Sequence, residues 1–322
     1  MEGQHKTKMK TPLKMPRALF GLIFLIFMSC QTAEFELTKY TVQEEVQSAS
    51  GLVVLGEDIY TVCDDSPFLF HLNLDFKVLR QQAIIPYDGP LKMVRLPKAT
   101  KPDFEALEQI APNEMIALGS GSESPERDIM VHIQIGDTVK MKRYSTTHFY
   151  DTLAQMAGME RSEFNLEGLA FSSNTLYFFT RTSNHMFTLD CSEFLAYMEG
   201  KVPLPAVELK TFKLPSIDGR TSGFSGATVT SDGKYAFVTS SVEVSEDSYK
   251  DGDILGSFIG VVPLYSTPKK THWVRIETPK EPVKVEAISI ANQLGENSYE
   301  VVLTTDSDGA GMSVFLRGIL HW

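Results

Sequence analysis

Cysteine is scarce in this chain: its 322 residues contain three, Cys30, Cys63 and Cys191. No CxxC pair and no Cys/His cluster is present, so nothing suggests a zinc site. Cys63 lies in the strand-like run Val62-Cys63-Asp64, where a buried thiol is expected, with a disulfide as the alternative. Long hydrophobic runs are also missing. The longest stretch, Ala18 to Phe27, falls short of the roughly 20 residues that a membrane-spanning helix needs. Positive charge is under-represented: 30 Lys and Arg face 41 Asp and Glu, a formal charge of −11. That balance argues against nucleic acid as a partner and suits cations better than polyanions.

The N-terminus has its own pattern. Lys6, Lys8, Lys10, Lys14 and Arg17 precede the apolar run, and Ser29-Cys30 follows it. This is the layout of a lipoprotein signal peptide over residues 1–30, with Cys30 as the lipidated residue of the lipobox. Simple cleavage and a short anchor are the alternatives. Gln31 after the cysteine resembles the Gram-negative sorting pattern for outer-membrane retention, which implies an exported, lipid-anchored protein. Loss of residues 1–29 leaves 25 basic and 40 acidic residues, a formal charge of about −15. Residues 31–322 then form a single domain.

Within that domain the strongest signal is a repeat. Five segments are alike: Ala49-Ser50-Gly51-Leu52-Val53, Asp103-Phe104-Glu105-Ala106-Leu107, Asn165-Leu166-Glu167-Gly168-Leu169, Gly223-Phe224-Ser225-Gly226-Ala227 and Lys284-Val285-Glu286-Ala287-Ile288. Each is followed by a polar turn and a second apolar run, the mark of a β-hairpin. A third strand follows each hairpin, and a fourth is readable after the first four. The last unit ends at Trp322, but Phe35 to Val42 is strand-like and precedes the first repeat. It can supply the missing outer strand and leave no open sheet edge. The expected fold is therefore an all-β propeller of five blades, or of six if an insertion hides a degenerate blade, closed by the N-terminal strand in the last blade. Tyr150 to Ala157 and Ser192 to Met198 carry helical spacing and are expected to decorate one rim. Glu243 to Asp253 reads as a surface excursion.

The short signatures Asp-Phe-Glu-Ala-Leu (103–107), Asn-Leu-Glu-Gly-Leu-Ala (165–170) and Lys-Val-Glu-Ala-Ile (284–288), together with Thr304 to Gly309, resemble an uncharacterised family of bacterial propeller lipoproteins of unknown function. More distantly they are similar to phytase-like and esterase-like propellers. The resemblance implies the fold across most of the mature chain. The full calcium and phosphate ligand set of a phytase is not found.

Strand one of a blade lines the central channel and strand two returns antiparallel. The start of strand one and the loop after strand two therefore share a face, the channel mouth. Ser50, Glu105, Glu167, Ser225 and Glu286 should meet there with Asp64, Asp65, Ser120, Ser122, Arg127, Arg181, Asn184, His185, Asp306 and Asp308. Clustered carboxylates need a cation, an arginine or a proton. Two readings stand side by side. Glu105, Glu167 and Glu286 hold calcium, which takes oxygen ligands, or each glutamate is satisfied by backbone N–H groups or by Arg127 or Arg181. Gly119 to Arg127 could receive an anionic ligand, Arg181 could clamp one, and His185 could act as a base or simply pack. Gly223-Phe224-Ser225-Gly226 is not a nucleophile elbow, because no strand-to-helix turn follows. The expected function is binding of a small polar ligand, or of a protein or glycan partner, at the channel mouth. The alternative is a metal-assisted phosphoesterase or lactonase.

Overall fold

The computed structural model describes Met1 and residues 33–89, 95–244, 252–265, 271–306 and 311–322. Residues 2–30 of the signal segment, Cys30 included, and Asp308 lie outside the described residues. The unit Thr32–Trp322 is a five-bladed propeller. Strand β1 (Glu34–Gln43) comes first. Blade one is β2 (Ala49–Leu55), β3 (Asp58–Cys63), β4 (Phe68–Asn73) and β5 (Val78–Ala83). Blade two is β6 (Phe104–Ala111), β7 (Glu114–Gly119), β8 (Ile129–Gln134) and β9 (Lys140–Ser145). Blade three is β10 (Leu166–Ser172), β11 (Thr175–Thr180), β12 (His185–Asp190) and β13 (Glu208–Thr211). A short hairpin, β14 (Ser216–Ile217) and β15 (Arg220–Thr221), precedes blade four: β16 (Gly223–Val229), β17 (Tyr235–Val244), β18 (Asp253–Pro263) and β19 (His272–Arg275). Blade five is β20 (Lys284–Gly295), β21 (Ser298–Asp306) and β22 (Ser313–His321), completed by β1.

Closure follows from register. β1 runs antiparallel to β22 from Glu34 opposite His321 to Gln43 opposite Ser313. The backbone groups that β22 would expose at an open edge are thereby paired. Trp322 fixes the end of the chain by stacking on Tyr299, 5.3 Å between ring centres, and by meeting Phe237 of blade four edge-on.

The inner strands of each blade are buried on both faces because each blade lies between two others, while outer strands such as β9 and β13 are largely exposed. Five apolar clusters fill the five interfaces. Val53, Val62, Leu107 and Met115 join blades one and two, and Leu118, Met130, Leu169 and Phe178 join two and three. Phe179, Ala170, Phe224 and Val238 join three and four, Phe237, Ile259, Ile288 and Val301 join four and five, and Val302, Phe315, Leu52 and Phe70 close five onto one. The tight turns between the first two strands rest on residues that tolerate positive φ, such as Gly56 (63°) and Asn113 (62°).

The two helices depart from the expected shared rim. α1 (Thr147–Ala157) follows the mouth end of β9, whereas α2 (Cys191–Met198) continues from the far end of β12. They meet over blades two and three, where Phe149, Phe178 and Phe194 pack with ring centres 4.9 to 5.5 Å apart. Their apolar faces are core. Asp190 caps α2 by accepting from the Glu193 backbone N–H. Cys63 and Cys191 are both buried and unlinked.

Candidate functional site at the channel mouth

Every inner strand shifts register at the same place. The breaks fall between Ala49 and Gly51, Phe104 and Ala106, Leu166 and Gly168, Phe224 and Gly226, and Val285 and Ala287. The residues skipped are Ser50, Glu105, Glu167, Ser225 and Glu286. A β-bulge leaves one residue out of the ladder and re-aims its side chain, and the three glutamates and Ser50 line the channel. Small residues follow each bulge. A Cβ on Gly51 would lie 2.7 Å from the Leu107 backbone nitrogen, and one on Gly226 would lie 2.8 Å from the Ala287 Cα. The strands therefore close tightly on the axis, and the cavity at this level is about 10 Å³, close to the room one water needs.

The serines bind blade to blade. Ser50 donates to the Phe104 carbonyl and Ser225 donates to the Val285 carbonyl at 2.5 Å, each just before the next blade's bulged glutamate. Ser241 donates to the same Val285 oxygen at 2.9 Å, and Ser257 donates to the Val283 carbonyl at 2.7 Å.

The glutamates are drawn into a chain of alternating charge. Arg181 reaches Glu167 at 3.4 Å and Glu243 at 3.1 Å, and Lys284 reaches Glu243 at 2.8 Å and Glu286 at 3.0 Å. These pairs link blades three, four and five. On the other side Lys101 joins Asp64 to Asp103, Arg127 meets Asp103 at 2.9 Å, and Arg95 pairs with Asp65. Burial works against the charge of Arg181 and Lys101, but the flanking carboxylates outweigh it and raise both pKa values. Burial likewise opposes ionisation of Asp103 and Glu243, yet two cations beside each hold both carboxyls below their usual range.

Glu105 stands apart. Among the described residues no hydrogen bond or ion pair reaches it. It is half-buried toward the narrow channel but surrounded by protein, and desolvation, followed by repulsion from Glu167, Asp103, Glu286 and Asp64, pushes its pKa well above the usual carboxylate range. Burial also raises Glu286 strongly, with Lys284 opposing, and its buried Oε2 has no hydrogen-bond partner. Asp64, raised by burial against the pull of Lys101, keeps a buried Oδ1 without one. Oxygens of Asp64, Asp103 and Glu105 lie within 4.8 Å of one another. The trio that meets within this distance is Asp64, Asp103 and Glu105, whereas Glu167 and Glu286 are ion-paired with Arg181 and Lys284.

The remaining residues expected at the mouth are mostly occupied in holding its walls. Ser120 and Ser122 bond Asp103, and Arg127, 8% exposed, donates to Asp103 and to Ser122. The Gly119 to Arg127 loop is fixed from outside by Arg161, which reaches Asp128 and the Gly121 carbonyl. Asn184 bridges blades three and four through the Ser222 carbonyl and the Phe224 N–H. His185 is buried, 2.9 Å from the Thr211 hydroxyl of the outer strand, with its pKa lowered by burial. It packs away from the carboxylate ring. Asp306 sits at the rim, where its charge raises Asp64.

Lys101, Asp103, Glu243 and Lys284 were not singled out as site residues from the sequence. A signal for two of them existed. Asp103, Asn165 and Lys284 each stand two positions before a bulged glutamate, and Asn165 donates to Glu167 at 2.6 Å. Glu243 is not the start of a surface excursion: β17 continues through Val244 and brings it to Arg181 and Lys284 at the mouth.

Residues 45–320 match the profile of DUF6929, described as a family of unknown function. The chain belongs to this family. Glutaminyl cyclase from Myxococcus xanthus is similar in structure over 89% of this chain and 97% of its own, at 8% identity and a TM-score of 0.51. Regucalcin, a calcium-binding protein from Agrobacterium tumefaciens strain C58, matches over 88% and 94%, at 10% identity and a TM-score of 0.41. At 8% identity the likeness to the cyclase establishes the fold alone. No curated protein sequence matches the chain.

Proposed function

We propose that this propeller is a binding protein that takes up a small polar ligand at its channel mouth, with a calcium ion seated by Asp64, Asp103 and Glu105. The observation that carries the reading is the carboxyl group of Glu105, left without a partner in a ring where the neighbouring charges are paired. Three carboxylate oxygens within 4.8 Å supply hard oxygen donors of the kind calcium selects. Lys101 competes for the same oxygens, so the site is partly neutralised before any ion arrives.

Binding is favoured over metal-assisted hydrolysis by the state of the arginines. Arg127 and Arg181 are each ion-paired with carboxylates of the site, which compete with any anionic substrate for their charge. The proposal includes export and attachment to the outer membrane through a lipid on Cys30, with the propeller outside the bilayer. Labelled fatty acid should enter the wild-type chain in cells and not Cys30→Ala.

The test of the ion is calorimetric titration of chelator-treated protein with calcium, alongside its melting temperature. One equivalent bound, a rise in melting temperature, loss of binding in Glu105→Gln and tighter binding in Lys101→Met are the expected results. Absence of binding at millimolar calcium, or binding unchanged in Glu105→Gln, would overturn the assignment.

A further inference from the structure

A cavity far roomier than the channel lies beside it. A cleft of about 620 Å³ opens between blades four and five, and Lys284 and Asp306 connect its wall to the channel mouth. Its size falls within the range of small-molecule sites. Ile254, Pro282, Val283 and Val314 give it apolar walls, and Tyr40 comes from β1. The closing strand of the propeller therefore also builds the cleft.

The two lysines of the cleft are in different states. Lys284 is ion-paired with Glu243 and Glu286. Lys280 is exposed, and its ammonium lies over the Tyr40 ring at 5.5 Å from the centroid, with no carboxylate in ion-pairing distance among the described residues. An ammonium held against an aromatic face keeps its hydrogen-bond donors for a further partner. The backbone behind the cleft is tied to blade four. Hydroxyls of Ser241 and Ser257 lock blade four to the Val283 and Val285 carbonyls behind the cleft. The site thus combines preformed apolar walls with one cation at its edge.

From this geometry we infer that the cleft between blades four and five binds an organic monocarboxylate with an apolar body, its carboxylate on Lys280 and its body against Tyr40, Ile254 and Val283. This cleft is a second site, separate from the channel-mouth site of the proposed function. It does not depend on the calcium ion. A multiply charged anion is disfavoured, because Asp306 and Glu281 also face the cleft.

Three probes with one apolar body and different heads test this: 4-phenylbutyrate, 4-phenylbutanol and 4-phenylbutylamine, titrated into the full-length mature chain in the presence of chelator. The carboxylate should bind best and the amine worst. Lys280→Ala should remove most of the preference of carboxylate over alcohol, and Ile254→Trp, which fills the cleft, should weaken all three at least about tenfold, a loss expected when an apolar pocket is blocked. Chelator-treated Glu105→Gln should bind the probes as wild type does, which separates failure of the cleft from failure of the ion site. No binding of any probe at millimolar concentration, preference for the amine, or indifference to Ile254→Trp would refute the inference.

Discussion

Glu105→Gln isolates the free energy of one ionisation. Glutamine mimics the protonated carboxyl in shape and charge, so the two proteins should match in stability near pH 4.5, where the unfolded glutamate is itself half-protonated. Above that pH the unfolded wild-type chain releases the proton while the folded chain retains it, since burial and three or more neighbouring carboxylates raise the folded pKa. The folded state then binds more protons than the unfolded one, and stability must fall as pH rises. The loss is about 1.4 kcal/mol for each pH unit until the folded pKa is passed. Asp103 and Glu243 act in another window: their lowered pKa values give stability that is present above about pH 4.5 and disappears as pH falls below it. Urea unfolding of both proteins in chelator, from pH 5 to 7, should therefore show Glu105→Gln gaining about 1.4 kcal/mol per unit over wild type across the lower part of that range. Saturating calcium should reverse the order at pH 7, because the ion neutralises an ionised Glu105 and has less to hold in the variant. Parallel stability curves for the two proteins in chelator would show that Glu105 carries no such penalty.

Two further outcomes follow from the same charge pattern and from closure. Arg181→Met strips the counter-charge from Glu167 and Glu243, 5% and 17% exposed, and should cost about 3–5 kcal/mol in urea unfolding. A cost under about 1 kcal/mol would mean that water already screens the pair, as it does for exposed pairs. A chain beginning at Glu45 retains the part matched by the family but lacks β1, which leaves the outer edge of β22 unpaired and removes the Phe35, Leu37 and Tyr40 contacts. It should aggregate or melt far below the complete propeller, and adding a peptide of residues 33–43 should raise its melting temperature.

The repeat made the fold legible. Residues around the axis face equivalent surroundings, so each inner strand carries the same local pattern, and a small residue after each bulge recurs because the strands pack too closely for anything larger. The N-terminal strand was placed in the last blade by counting strands, since the fifth unit lacks one. Helix positions were legible from spacing, but not their ends of the propeller, because that depends on which strand each helix follows.

The repeating pattern alone therefore carries the hairpins, the missing fifth-blade strand and the bulge positions Ser50, Glu105, Glu167, Ser225 and Glu286. How those groups are neutralised depends on the folded arrangement. Lys101, Arg127, Arg181, Glu243 and Lys284 come from different blades and different places within them, with no common spacing in the chain. Ion pairing acts through space at about 3 Å, so which cation meets which carboxylate, and that Glu105 meets none, is set by the blades' arrangement around the axis. The cleft beside the mouth is of the same kind, since Tyr40 and Lys280 are joined there only because the first strand returns to close the last blade.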